Sequence, residues 1–220
     1  MTRQTETRAD HVTGALQDAG VVAIFRAPSA EHFVSTAEAL VDAGWAAIEI
    51  TLTGAGSLDA LATLSERLTP NAIVGAGTVL DADQAKRAID SGARFLISPV
   101  FAADVAEVAR DADIAYVPGV VTPTEVYTAL RAGVSAVKLF PASVTGLRYI
   151  AELRGPFPGV RVMPTGGIRI SEISDWLRGG AIAVGIGGEL LGTSLIDGPD
   201  PELASRARHA LDKVNEARQA

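Results

Sequence analysis

Two rhythms of apolar and polar positions alternate along the chain. Short apolar runs rich in β-branched residues begin near Val21, Ala46, Ala72, Arg94, Ala115, Ala136, Arg161 and Ala181. They recur at intervals of 20–26 residues, the length of one strand, one helix and two loops. Between them the pattern turns helical: Phe33, Ala37, Leu40 and Val41 share one stripe. Glycine stands just before the next run in Asp42-Ala43-Gly44, Asp90-Ser91-Gly92, Arg131-Ala132-Gly133 and Arg178-Gly179-Gly180, where a left-handed helix end is wanted. Thr122-Pro123-Thr124-Glu125 reads as a capping box with proline in the first turn. Ser57 and Asp81 read as weaker caps. Eight such units without a linker predict an α/β chain folded as one (β/α)8 TIM barrel over residues 1–220. A short helix over His11 to Ala19 and a closing helix over Glu202 to Arg218 flank it, and residues 1–9 form a flexible tail. An open doubly wound sheet is the alternative, but Gly75-Ala76-Gly77-Thr78-Val79-Leu80 and Gly185-Ile186-Gly187-Gly188-Glu189-Leu190 both lack the last glycine of a dinucleotide loop.

Composition narrows the function. At 220 residues with 48% hydrophobic content, the chain can bury a large core. A net charge of -7 argues against nucleic acid or an anionic membrane as partner. With no cysteine there is no disulfide framework, thiolate metal site or cysteine nucleophile. No apolar leader opens the chain and no run reaches the roughly 18 residues of a membrane span, so a cytoplasmic setting is expected. His11, His32 and His209 fall in predicted helices, spaced unlike metal ligands, and read as surface residues. Trp45 and Trp176 read as packing residues.

Candidate chemistry centres on Ala136-Val137-Lys138-Leu139-Phe140-Pro141-Ala142. Of the three lysines, Lys86 and Lys213 sit in polar stretches, whereas Lys138 interrupts a buried strand. Removing an ammonium from water destabilises the charged form unless a partner compensates, and a neutral amine can attack a carbonyl. The bland alternative is a lysine that snorkels out or pairs with a carboxylate. Strand alternation turns Lys138 inward, and Glu49, Thr51 and Thr53 with it. Arg26, Thr78, Ser98-Pro99 and Thr165-Gly166-Gly167 end neighbouring strands on the side where such barrels work. Gly166, Gly167, Gly187 and Gly188 could present backbone N–H groups to a phosphate, or could serve tight turns alone. Glu49 beside Lys138 is either a proton carrier or a structural ion pair.

These residues resemble a known family, the class I 2-keto-3-deoxy-6-phosphogluconate and 4-hydroxy-2-oxoglutarate aldolases. The likeness runs from about Val21 to Gly192 through Glu49-Ile50-Thr51, Gly75-Ala76-Gly77-Thr78, Ile97-Ser98-Pro99, Val117-Pro118-Gly119, Lys138-Leu139-Phe140-Pro141, Pro164-Thr165-Gly166-Gly167-Ile168 and Gly185-Ile186-Gly187-Gly188. The resemblance implies a barrel, commonly trimeric, with no metal or organic cofactor, cleaving a 2-keto-3-deoxy acid to pyruvate and an aldehyde. It implies Lys138 as Schiff-base lysine and Glu49 as general acid/base. It also implies that Thr78 holds the substrate carboxylate and that Pro99, Phe140 and Thr165 line the pocket. Two positions depart from the pattern. Where some members carry an arginine for the carboxylate this chain has Thr53, so Arg26 is expected to supply the guanidinium. Glu189 stands where the family usually has a serine in its phosphate site; a carboxylate there repels phosphate unless it turns away or is neutralised. That favours an unphosphorylated or shorter substrate, such as 4-hydroxy-2-oxoglutarate. A sugar-phosphate isomerase or epimerase without an imine, and a non-catalytic keto-acid-binding barrel, are the alternative readings.

Overall fold

The computed structural model describes residues 7–219. The first six positions of the expected tail lie outside the described residues, and the next three are not tail. Thr7 and Asp10 cap helix α1 (Arg8–Ala19) reciprocally, and Asp113 accepts hydrogen bonds from the N–H groups of Arg8 and Ala9. The helix opens three residues earlier than expected because its free N–H groups find these acceptors.

Every predicted run forms a strand: β1 (Val21–Phe25), β2 (Ala47–Thr51), β3 (Ile73–Gly77), β4 (Phe95–Ile97), β5 (Ala115–Val117) with β6 (Gly119–Val120), β7 (Val137–Leu139), β8 (Val162–Pro164) and β9 (Val184–Ile186). Between them run α2 (Phe33–Asp42), α3 (Ser57–Arg67), α4 (Ala82–Asp90), α5 (Ala103–Asp111), α6 (Pro123–Arg131), α7 (Ala142–Thr145), α8 (Arg148–Arg154) and α9 (Ile173–Arg178). After β9 come α10 (Gly188–Leu191), α11 (Ser194–Asp197) and the closing helix α12 (Leu203–Arg218).

The result is an α/β fold with a curled parallel sheet. In place of one continuous eight-stranded ladder, the hydrogen bonds define a six-stranded sheet, β5-β4-β3-β2-β1-β9, and a three-stranded sheet, β6-β7-β8. Pro118 accounts for the break, because it has no N–H to donate. Upstream of it Ala115, Tyr116 and Val117 pair with β4; downstream Gly119 and Val120 pair with β7. On the far side the Thr165–Gly185 bridge and the bond from the Ile182 N–H to the Val162 carbonyl join the sheets.

Alternation along the strands divides the core. Outward residues such as Phe25, Ile48, Ile50, Val74, Leu96, Val137 and Leu139 pack against helix faces carrying Phe33, Leu40, Leu61 and Leu64. Each such buried side chain contributes about 1.5–3 kcal/mol. A second cluster sets Val12 and Leu16 of α1 against Val22, Ala47, Phe95, Ala115 and Ala136. With α1 covering the N-terminal ends of the strands, the opposite edge is left for a site. The expected punctuation is present at Thr122 and Asp81, which cap α6 and α4. Ser57 is a correction: it lies inside α3, its hydroxyl donates to the Gly54 carbonyl, and Gly56, at φ 77°, takes the capping position. His32 is another, standing just before α2 rather than within it.

Candidate active site

Lys138 is the middle residue of β7. Val137 and Leu139 face the helices, so alternation turns Lys138 to the inner side. Its backbone is fixed by an N–H bond to the Pro118 carbonyl of 2.8 Å and by pairing with Met163 of β8. The side chain is 4% exposed, and Nζ lies 3.5 Å from Oε1 of the fully buried Glu49. Nζ also sits 5.4 Å from the centroid of the Phe140 ring.

Glu49 reaches the same place from the middle of β2, with Ile48 and Ile50 turned outward. Gly77 on β3 makes room: a Cβ there would come within 2.1 Å of Glu49 Oε1. The second carboxylate oxygen, Oε2, is buried without a hydrogen-bond partner, as is Thr165 Oγ1. Two buried charges at this separation hold one another in place, because either alone would cost several kcal/mol.

Above the pair, Nζ opens into a cleft of about 810 Å³ at the C-terminal edge of the strands. Arg26, Thr78, Pro99, Phe140, Thr165, Gly166, Gly167, Gly187, Gly188 and Glu189, all singled out in the sequence, line it with Lys138. Arg26 and Thr78 follow the ends of β1 and β3, and Arg26 Nη2 donates to Thr78 Oγ1 across 3.1 Å. Thr78 holds that hydroxyl with φ at 58°, a left-handed backbone that is unfavourable for a β-branched residue.

Thr53 does not join this group. The strand ends at Thr51 and the chain turns, leaving Thr53 exposed and outside the cleft, its hydroxyl 3.0 Å from that of Thr51. The expected inward set therefore shrinks to Glu49 and Thr51, whose hydroxyl donates to the Phe25 carbonyl. Glu49 itself is fully buried at the floor of the cleft, where it contacts Lys138.

Sequence reasoning missed the wall formed by Ile24, Ile168, Leu191, Leu195 and Ile196, and missed Arg169. The apolar residues resemble any core position. Arg169 follows Gly166-Gly167-Ile168 in a loop with no periodicity to read. It is clasped by Glu172 at 2.8 Å, and this hydrogen bond holds the Glu172 carboxyl below its ordinary range. Glu189 Oε2 accepts the Ile170 N–H at 2.8 Å. Behind it Arg206 donates to the Leu190 carbonyl at 2.7 Å and pairs with Asp200 at 2.6 Å, which holds Asp200 down at about 2.

Among the described residues, no group of three or more His, Asp or Glu side chains is placed to hold a metal ion. Nor is any helix among them long and apolar enough to cross a membrane.

A buried amine against a carboxylate, below a cleft at the C-terminal edge of a parallel β/α sheet, is aldolase architecture, and comparison with known proteins places the chain among these lyases. It belongs to one family of them: residues 12–206 match the family model of the KDPG and KHG aldolases. The 2-dehydro-3-deoxy-phosphogluconate aldolase of Pseudomonas aeruginosa is 31% identical over 215 residues, 97% of each chain. The 2-keto-3-deoxy-6-phosphogluconate aldolase of Zymomonas mobilis ZM4, solved with 3-phosphoglycerate, superposes with a TM-score of 0.81 at 31% identity. That match covers 92% of this chain and 94% of the other. The KDPG aldolase of Legionella pneumophila, with pyruvate captured as a covalent carbinolamine, superposes at 0.76 with 26% identity over 97% and 98% of the two chains.

Proposed function

We propose that this chain is a class I aldolase that reversibly cleaves a 2-keto-3-deoxy acid into pyruvate and an aldehyde through an imine on Lys138. One observation carries the reading: a single nearly buried amine, 3.5 Å from an interior carboxylate, opens onto the cleft. The carbinolamine captured in the Legionella enzyme supports the same chemistry here.

The mechanism follows from the pair. Proton transfer from Lys138 to Glu49 frees the amine, which attacks the C2 ketone of the substrate and forms a carbinolamine. Glu49 returns the proton to the departing hydroxyl; water leaves and an iminium remains. As a carboxylate again, Glu49 takes the proton of the C4 hydroxyl. The C3–C4 bond breaks, its electrons pass into the iminium, and the aldehyde departs from a pyruvate enamine. Glu49 then protonates C3, and water hydrolyses the imine to pyruvate and free lysine. Arg26 and Thr78, joined at the rim, orient the substrate carboxylate, which holds C2 near the amine. Glu49 Oε2 and Thr165 Oγ1, buried without partners, are the groups that substrate hydroxyls would satisfy.

We also infer a closed (β/α)8 barrel in one domain, working in the cytoplasm as a homotrimer. Closure is supported by the Lys138–Pro118 bond at one seam and the Thr165–Gly185 bridge at the other. The trimer rests on family resemblance, with exposed Leu80 and Val100 beyond neighbouring strands as candidate contacts.

Borohydride reduction in the presence of pyruvate tests the imine. Wild type should gain one pyruvyl adduct at Lys138, and Lys138→Arg should gain none. An enzyme that releases pyruvate at full rate yet resists trapping would refute the covalent route; one that neither traps nor releases pyruvate would leave the isomerase reading in its place.

A further inference from the structure

The cleft wall that follows β8 and β9 carries an unusual charge. Arg26 turns onto Thr78, leaving Arg169 as the guanidinium on this wall, and Arg169 is already clasped by Glu172 at 2.8 Å. The exposed carboxylate of Glu189 joins Arg169 on the cleft wall. The Arg169 guanidinium is taken up by Glu172, and the Glu189 carboxylate bonds a backbone N–H instead of a cation. Glu189 has not turned away: Oε2 accepts the Ile170 N–H at 2.8 Å, so the chain's own anion occupies a donor that a ligand anion would otherwise use.

We propose that this wall selects an uncharged, hydroxyl-bearing aldehyde half, so that the preferred substrate is an unphosphorylated 2-keto-3-deoxy aldonate. The proposal rests on the aldolase reading and narrows it. Sugar hydroxyls donate to a carboxylate, and such charge-assisted bonds are among the stronger ones. A phosphate dianion in the same position meets like charge and loses the Ile170 donor. The terminal carboxylate of 4-hydroxy-2-oxoglutarate, on C5, stops short of that position but brings no hydroxyl to Glu189 and adds a like charge to the cleft. The position is rigid as well as charged, because Arg206 fixes the Leu190 carbonyl and is itself held by Asp200. The backbone that carries Glu189 is therefore fixed, and its side chain is held to the wall by the Ile170 bond.

The test is pyruvate release from 2-keto-3-deoxygluconate and its galactonate epimer, from their 6-phosphates, and from 4-hydroxy-2-oxoglutarate. Wild type, Glu189→Ser and Glu189→Gln are compared by kcat/KM. Wild type should favour an unphosphorylated aldonate over its phosphate and over the dicarboxylate by roughly tenfold or more. Glu189→Ser should raise kcat/KM for the phosphates by roughly tenfold and lower it for the neutral acids. Glu189→Gln should move the ratio in the same direction, which separates charge from side-chain length. Wild type that cleaves the phosphates as well as the neutral acids, or a ratio unmoved in both variants, overturns the proposal. Pyruvate–borohydride trapping on the same preparations separates the two levels. No adduct removes the aldolase reading and this proposal together; an adduct with an unmoved ratio removes this proposal alone.

Discussion

Glu49 has one position available to it, and Gly77 sets it. A Cβ on Gly77 would lie 2.1 Å from Oε1 and 2.5 Å from Cγ of Glu49, closer than any relaxed contact. Gly77→Ala must therefore push the carboxylate off Lys138 or distort β3. It should destabilise the fold by about 1–3 kcal/mol and slow borohydride trapping by roughly tenfold or more, a fraction of the effect of general acid–base catalysis. Full-rate trapping in that variant would show that the 3.5 Å contact is not required. Thr78 makes the converse case. Its left-handed backbone costs on the order of 1 kcal/mol, and Thr78→Gly relieves it, offset in part by the greater entropy of the unfolded chain. Thermal stability should hold or rise while KM for the keto acid increases, because Arg26 loses its partner. A sharp fall in melting temperature would show that the hydroxyl is structural.

Elements carry a different kind of information. Asp200 and Arg206 tie the start of α12 to α10, the helix that bears Glu189. The hydrogen bond from Arg206 brings Asp200 from 3.8 down to about 2. A depressed carboxyl contributes stability that is fully present above its unfolded value and disappears as pH falls through its folded value. Between about pH 4 and 2 the wild type should lose on the order of 1 kcal/mol through this clasp, a modest sum because the pair is partly solvated. Asp200→Asn should start less stable at neutral pH and show a shallower acid limb in urea titrations; an unchanged slope would remove the clasp from the account. Little of this clasp was visible in the sequence, where Asp200 and Arg206 are two charges among many. The strands were legible, because period-2 alternation and glycine-ended helices are local signals, and so was the inward turn of Lys138. What escaped depends on where a ladder stops. Thr53 reads as an inward residue only if β2 continues past Thr51, and the fifth run reads as one strand unless Pro118 interrupts its bonding. Arg169 was invisible because a loop brings it in without a period, and the wall because Ile24 on β1 and Leu191, Leu195 and Ile196 on α10 and α11 look like any core position.

Across the whole molecule, the site draws its parts from both hydrogen-bonded sheets. Lys138 belongs to the three-stranded sheet, while Glu49, Arg26 and Thr78 belong to the six-stranded sheet or directly follow its strands. A keto acid bonded to Lys138, with its carboxylate on Arg26 and Thr78, would reach from one sheet to the other. Binding to the folded state alone raises stability by about 2.7 kcal/mol when ligand stands at 100 times its dissociation constant. In a chain of this size that corresponds to roughly 5–10 °C in melting temperature. Pyruvate should therefore raise the melting temperature of wild type by several degrees, and that of Lys138→Arg hardly at all. Arg26→Ala should retain part of the shift, since the imine survives without its carboxylate clamp. Hydrogen exchange should locate the gain at β7, which bears Lys138, and at the ends of β1 and β3, which lead to Arg26 and Thr78. Equal shifts in wild type and Lys138→Arg would mean that pyruvate binds without joining the two sheets through this lysine.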